Sequence, residues 1–447
     1  MLNKFVFRML ALVTLLAAVA VWQNGCSKDK PTSPNTACLD SIGNPLPVAP
    51  DSERVDLYMP VFSDPLNVSN PLFPIKTQHS VVMLGLSDGE PFRTEVTLLP
   101  NAKTITINGQ PVQTLESQYV AFLGGRIHEV ALDWYAQDNL GAVWYLGEDV
   151  FNYEEGVIAD SNGTWLAGEE GPAAMIMPAS PVVGDVYRPE NACPIVFEEV
   201  VVDSTGVTVN GPSGPVAGAI VVEELHMDGS REAKTFAPGY GEFSTGSGNN
   251  IEAVALVVPT DALSGSTPAE LVTITAETDT IFDAAETGDW GKANVSLNQI
   301  NSAWTTYQSA QIPPRLGAQM NDALAALAAS IAAHASEDIR QSAIDVARAA
   351  FDFRLRYQLP AEIDIARFEL WARQVLVDAG ADDTSGVKGD AAILEWTRGR
   401  FIHTVDASIA SQINTKLSTL RANADAEDLA AAEVTAAELR VIIKGIM

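Results

Sequence analysis

"ALDWYAQDNLGAVWYLGED", running from Ala131 to Asp149, carries two aromatic pairs, Trp134-Tyr135 and Trp144-Tyr145, on either side of a short polar turn. Side chains alternate faces along a strand, so the members of each pair point in opposite directions. A β-hairpin with its turn at "QDNLGA" places one aromatic of each pair on a core face. The other two form a cross-strand pair on the outer face. Gly141 supplies the positive φ that hairpin loops often need. Outward from this hairpin, residues 50–276 continue in the same style. Short runs such as "HSVVMLGL", "FRTEVTLL", "PIVFEEVVV" and "EAVALVV" alternate with turn residues, among them Asn108-Gly109 and Asp228-Gly229. No helical pattern separates these runs, so the sheet is expected to be antiparallel and curved, a partial barrel, rather than parallel.

Composition changes near residue 277. Alanine rises, glycine falls, and apolar residues recur at three and four, as in "MNDALAALAASIAAH". Residues 277–447 are therefore expected to form a separate all-α domain of about seven helices paired as hairpins, giving an α+β multidomain chain. Asp289, Asp338, Asp383 and Asp428 recur at the spacing of a helical-hairpin repeat. Acids ahead of helices serve as caps and complement the dipole; the spacing itself is either a true repeat or chance. In "LPAEIDIARFELWARQVLVDA", Asp364–Arg367 and Glu369–Arg373 are read as surface ion pairs. Phe368, Leu370, Trp371 and Val375 are read as a core stripe.

The N-terminus reads as a signal peptide over residues 1–25: Lys4 and Arg8, then the apolar "MLALVTLLAAVAVW". "QNGC" resembles the bacterial lipobox, which would make Cys26 the lipidated residue. Residues 26–49 would then be a lipid anchor and polar tether. The alternative is an ordinary cleaved signal with an incidental cysteine. Ser27 resembles the residue that sorts such proteins to the outer membrane, facing periplasm or exterior. Cys38 and Cys193 then remain, either as a disulfide or as two free thiols. The chain has 57 acids against 27 Lys and Arg, a net charge of −30. That excludes a nucleic-acid partner, whose phosphates need a basic footprint.

Four segments carry a resemblance: "NPLFPI" at Asn70–Ile75, "DWYAQDNLGAVWYLGED" at Asp133–Asp149, "VVGDVYRPE" at Val182–Glu190 and "APGYGEF" at Ala237–Phe243. Together they resemble a family of secreted bacterial proteins and lipoproteins with the hallmarks NPxFPL, DxYAQDxxGxVWYxGED, VGxxYR and YAxGxGxV. Its hairpin motif maps onto Asp133, Trp134, Tyr135, Gln137, Asp138, Gly141, Trp144, Tyr145, Gly147, Glu148 and Asp149. That family carries no assigned activity, so the resemblance implies a β-domain and an extracytoplasmic location rather than a reaction. The "AxGxG" segment is also similar to curved-sheet periplasmic proteins of the lipoprotein-carrier type. Relatives commonly carry a D-x-D-G turn that looks like part of a calcium loop; here Leu140 stands where an acid would be.

Catalytic signatures are sparse. His79, His128, His226, His334 and His403 form neither HExxH nor HxxxH and read as surface or capping residues. There is no GxSxG elbow, no phosphate loop and no CxxC, so neither a cofactor nor a metal is expected. Glu154-Glu155, Glu169-Glu170, Glu198-Glu199 and Glu223-Glu224 are adjacent acids, which diverge on a strand and so do not make a glycosidase pair by themselves. The expected function is a non-catalytic binding or structural module of the cell envelope. It is membrane-anchored through lipid and engages a protein partner or an apolar small molecule. The rival is an extracytoplasmic hydrolase of carbohydrate or ester with a dispersed carboxylate pair.

Overall fold

The computed structural model describes residues 38–76, 79–248 and 250–447. Cys26 and the expected signal peptide, residues 1–25, lie outside these residues. Fourteen strands form one antiparallel sheet that does not close: β1 (Ser80–Ser87), β2 (Glu90–Ile107), β3 (Gln110–Leu123), β4 (Arg126–Gln137), β5 (Val143–Glu154), β6 (Val157–Asp160), β7 (Trp165–Leu166), β8 (Ala174–Met177), β9 (Val186–Ala192), β10 (Val196–Gly211), β11 (Gly214–His226), β12 (Arg231–Ala237), β13 (Gly241–Ser247) and β14 (Asn250–Val258). The order is two meanders joined through β1 and β14: β6-β5-β4-β3-β2-β1-β14-β13-β12-β11-β10-β9, with β7 and β8 on β5. Turns follow their local chemistry. Asn108-Gly109 links β2 to β3 with φ of 51° and 78°, and Gly229 at 85° turns β11 into β12.

Eight α-helices follow among the described residues: α1 (Ala269–Thr287), α2 (Trp290–Tyr307), α3 (Pro314–Ala333), α4 (Ser336–Arg354), α5 (Pro360–Gly380), α6 (Thr384–Phe401), α7 (Ala407–Asp425) and α8 (Leu429–Lys444). This is one more than the periodicity suggested, and the first begins at Ala269, ahead of residue 277. Asp289, Asp383 and Asp428 are side-chain N-caps, accepting from Lys292, Gly386 and Ala431 N–H. Asp338 instead lies in the first turn of α4, whose N-cap is Ala335. Pro314 and Pro360 open α3 and α5, where the missing N–H costs nothing. No described helix is long and apolar enough to cross a membrane.

One face of the sheet packs on the helices. Val120, Phe122, Ile127 and Val130 meet Ala392 and Ile393 of α6, and Val82, Leu256 and Val258 share the large helical core. Phe122 stacks on Trp371 at 5.4 Å between ring centroids. Phe368, Leu370 and Val375 are buried as a core stripe. The charges beside them correct the expectation of surface pairs: Asp364, Arg367, Glu369 and Arg373 are all buried. Arg367 donates to Asp352 at 2.7 Å. Asp352 also accepts both terminal nitrogens of Arg93 on β2, at 2.7 and 2.8 Å. Arg400 of α6 donates to Glu95 at 2.7 Å and to Gln118 at 2.6 Å. A buried network with charged members from β2, α4, α5 and α6 therefore joins sheet to helices.

The Cys38 and Cys193 sulfurs are bonded, with Cα atoms 5.6 Å apart. The bridge rests beside Leu46, Phe197 and Leu225.

Candidate functional site

The opposite face of the sheet lines a half-open cavity of about 400 Å³. Its wall draws on β1 to β5 and on β9, β10 and β12 to β14, so both meanders face it. Alternation selects the lining. On β4 the odd residues Glu129, Ala131, Asp133 and Tyr135 point inward, while Val130 points to the helices.

The hairpin of the opening stretch forms one end of this wall. All four of its aromatics are buried, which corrects the expectation of an exposed outer pair. Tyr135 and Tyr145 are indeed direct cross-strand partners, stacked at 4.8 Å, but they sit inside. Trp134 lies under Lys103 on the other face and donates to Glu116 at 3.1 Å. Asp138 organises the turn around Gly141, whose φ is 96°. Its oxygens accept from Leu140 N, Ala142 N, Trp144 Nε1 and the Tyr58 hydroxyl. Four protein donors thus occupy the carboxylate that a calcium loop would use. Gln137 accepts from Ser69 N and Asn70 N at 2.8 and 2.9 Å, and Asn70 donates to Gly141 O and Pro178 O, docking the "NPLFPI" segment onto the hairpin. Gly147, at φ 128°, lets β5 pass Trp165, where a Cβ would come within 2.4 Å of the carbonyl oxygen. Asp149 is half-buried at the β4–β5 pair, opposite Leu132.

Each of the four resembling segments reaches this cavity: Phe73 and Ile75, then Asp133, Tyr135 and Glu148, then Glu190, then Tyr240 and Glu242.

The cavity's charge is one-sided. Near the hairpin a single row crosses three strands: Ser117 on β3 faces Asp133 on β4, which faces Glu148 on β5. Across the unpaired gap between β5 and β9, the Glu148 carboxyl comes close enough to Glu190 to raise the proton affinity of Glu190 by charge. The Tyr145 hydroxyl donates to Asp133 at 2.7 Å. No described Lys, Arg or His forms an ion pair with Asp133, Glu148 or Glu190. Burial pushes Asp133 up to about 7, helped by Glu129 and opposed by the Tyr145 hydrogen bond. Burial and the charge of Asp133 push Glu148 up to about 8. Burial, with Glu198 and Glu148 nearby, raises Glu190 well above the carboxylate range.

The far side has its own cations. Lys234 lies 2.6 Å from Glu224, and His226 lies 3.3 Å from Glu198 and 3.7 Å from Glu232. Hydrogen bonds to Glu198 and Glu232 push His226 up to about 10. Burial alone would raise Glu198, but Lys234 and His226 outweigh it and hold Glu198 at about 2. Glu242 and Glu252 complete this half, and burial pushes Glu252 up to about 7. Glu198, Glu224 and His226 place donor atoms within 4.8 Å of one another, the spacing of a metal group. Lys234 already supplies the positive charge there.

Sequence reading therefore missed Glu129, Glu190, Glu232, Glu242 and Glu252, and it took His226 for a surface residue. The signal available was strand alternation: in "HEVALDWYA" and "REAKTF" acids and Lys234 recur on one face. Of the adjacent acids, Glu198 faces the cavity while Glu199 accepts from Arg188, and Glu224 meets Lys234 while Glu223 turns outward to Arg231. Glu170 accepts from Leu166 N, tying its own loop. His334 is the left-handed C-cap of α3, stacked on Trp290.

A second cleft, of about 530 Å³, lies between the sheet and α3 to α5 and is mainly apolar, with Phe92, Phe122, Ile251 and Trp371 in its wall. Apolar surface thus gathers at the sheet–helix junction, and acid gathers inside the sheet. No protein-family model matches the chain, and no curated protein matches it.

Proposed function

We propose that the chain is a cell-envelope lipoprotein, anchored through Cys26, whose curled sheet is a non-catalytic binding module for a small, positively charged organic ligand. One observation carries the reading: eight carboxyl groups and one lysine line a cavity that also presents Phe73, Tyr119, Tyr135 and Tyr240. Such a wall repels anions, and its low-dielectric surroundings strengthen its attraction for a cation. Aromatic faces add cation–π attraction. The size suits a ligand of a few to a dozen heavy atoms, and polar groups converging in a half-enclosed space are what a specific site requires.

The opposing Asp133 and Glu148, without basic partners, support a second reading, a hydrolase using two carboxyls. One experiment separates the two. Titration calorimetry of the purified chain against organic cations, neutral disaccharides and short esters should show saturable one-site binding of cations only, with no turnover of glycosides or esters. Turnover abolished by Asp133→Asn would establish the hydrolase instead, and absence of any cation binding would reject the binding module.

A further inference from the structure

The cavity is divided into two halves of similar chemistry, and one half contains its own ligand. On the β10–β14 side a primary ammonium, the Lys234 Nζ, sits among carboxylates at 2.6 Å from Glu224, with Glu198 and Glu242 close enough to favour its charge. On the β3–β5 side the same kind of wall recurs. Asp133 and Glu148 are buried and face each other across adjacent strands, and Glu190 reaches them across the gap from β9. No described ammonium or guanidinium is paired with them.

A second observation points to a missing occupant. Ser117, the direct cross-strand partner of Asp133, is 0% exposed and lines the same cavity. Its hydroxyl oxygen has no hydrogen-bond partner among the described residues. Buried hydroxyls are ordinarily bonded, so an unmet acceptor beside two carboxyls marks a place for a donor. Tyr135, stacked on Tyr145, adds aromatic surface to the cavity wall.

We infer that Ser117, Asp133, Glu148 and Glu190 form a subsite for the primary ammonium group of an alkylamine, with Tyr135 against its first carbons. This rests on the binding-module reading and specifies its ligand. A primary ammonium offers three N–H donors, which match Ser117 Oγ and two carboxylates. A quaternary ammonium of like charge offers none.

Protons are displaced on binding. Burial holds the protons of Asp133 and Glu148 to about 7 and 8 and raises Glu190 well above the carboxylate range. The incoming charge favours the ionised carboxyls, so affinity rises with pH from 6 to 9. The groups facing the subsite are Glu129 on the same strand as Asp133, Glu198 on β10, Glu232 and Lys234 on β12, Glu242 on β13 and Glu252 on β14. Lys234 stays charged across that range, so the acids set the sign.

The test is calorimetric titration of the full chain in detergent with n-butylammonium, 1,4-diaminobutane and tetramethylammonium. Buffers of different ionisation enthalpy count the protons released. The inference expects butylammonium to bind at least 10-fold tighter than tetramethylammonium and to release protons at pH 7. Asp133→Asn/Glu148→Gln should weaken binding at least 10-fold, and Ser117→Ala several-fold. Equal affinity for both cations, or binding lost in Glu242→Gln/Glu252→Gln but intact in Asp133→Asn/Glu148→Gln, overturns the subsite while the cation-binding reading stands. No binding of any cation overturns both. Should the double variant fail to fold, the cation comparison and Ser117→Ala still decide.

Discussion

Asp133 shows at the level of one residue how fold and function pull apart. A carboxyl held up to about 7 keeps its proton in the folded protein at pH values where the unfolded chain has lost it. The same holds for Glu148, to about 8. The folded state then binds more protons than the unfolded one, and stability falls as pH rises from about 4.5 toward 8. His226 acts in the same direction: its partners contribute stability that is complete below about pH 6.5 and lost as pH rises through about 10. Glu198, held at about 2, contributes stability that is lost only as pH falls below about 4.5. The thermal midpoint of the ligand-free chain should therefore decline from pH 5 to pH 9. Asp133→Asn/Glu148→Gln should flatten that decline and be more stable than wild type at pH 8. A profile flat for wild type, or identical for the variant, would sink this account. The sequence showed the hairpin bearing these residues because aromatics and turn residues alternate there. It did not show the cavity, because Asp133, Glu190 and Glu252 come from strands far apart in the chain. An acid on a strand looks solvent-facing until the sheet is known to curl over it.

Between elements, the decisive contacts are ionic and buried. Asp364 and Arg367 lie three apart on α5, a spacing that by itself describes a solvent-facing pair. Their surroundings are set by Arg93 and Glu95 on β2, more than two hundred residues earlier, and local spacing carries no trace of that. Arg400→Met should leave Glu95 and Gln118 short of a buried donor and cost about 3–5 kcal/mol. Lys416→Met, which removes only an exposed pair with Glu438, should stay within about 0.5 kcal/mol. Urea unfolding of both variants checks the contrast; equal small losses would show the buried network to be dispensable. The helices themselves were legible, since apolar periodicity and acidic caps are local. Their number and the role of Asp338 were not, because the N-cap of the helix, Ala335, lies three residues ahead of that acid, and local pattern places helix ends only to within a few residues.

For the molecule as a whole, sheet and helices depend on each other more than the change in composition near residue 277 implies. A cut there falls inside α1. Even a chain of residues 266–447 would expose Asp352, Arg367 and Arg400 without Arg93 and Glu95, and would uncover the helical surface on which Val82 and Phe122 pack. Expressed alone, it should keep helical far-ultraviolet dichroism but melt without cooperativity. Adding residues 38–265 should restore a sharp transition, and a sharp transition in the helical piece alone would show that it needs no sheet. The bridge between Cys38 and Cys193 has a mechanical meaning as well. Tension applied at the N-terminus crosses the sulfur bridge and enters the β9–β10 turn. The intervening stretch, with a sequence separation of 155 residues that holds the opening hairpin and β1 to β9, is bypassed by the load. A pull on the chain would strip β10 to β14 and the helices while the hairpin half of the cavity carried no force, and reducing the bridge would move the first point of rupture to the N-terminal strands.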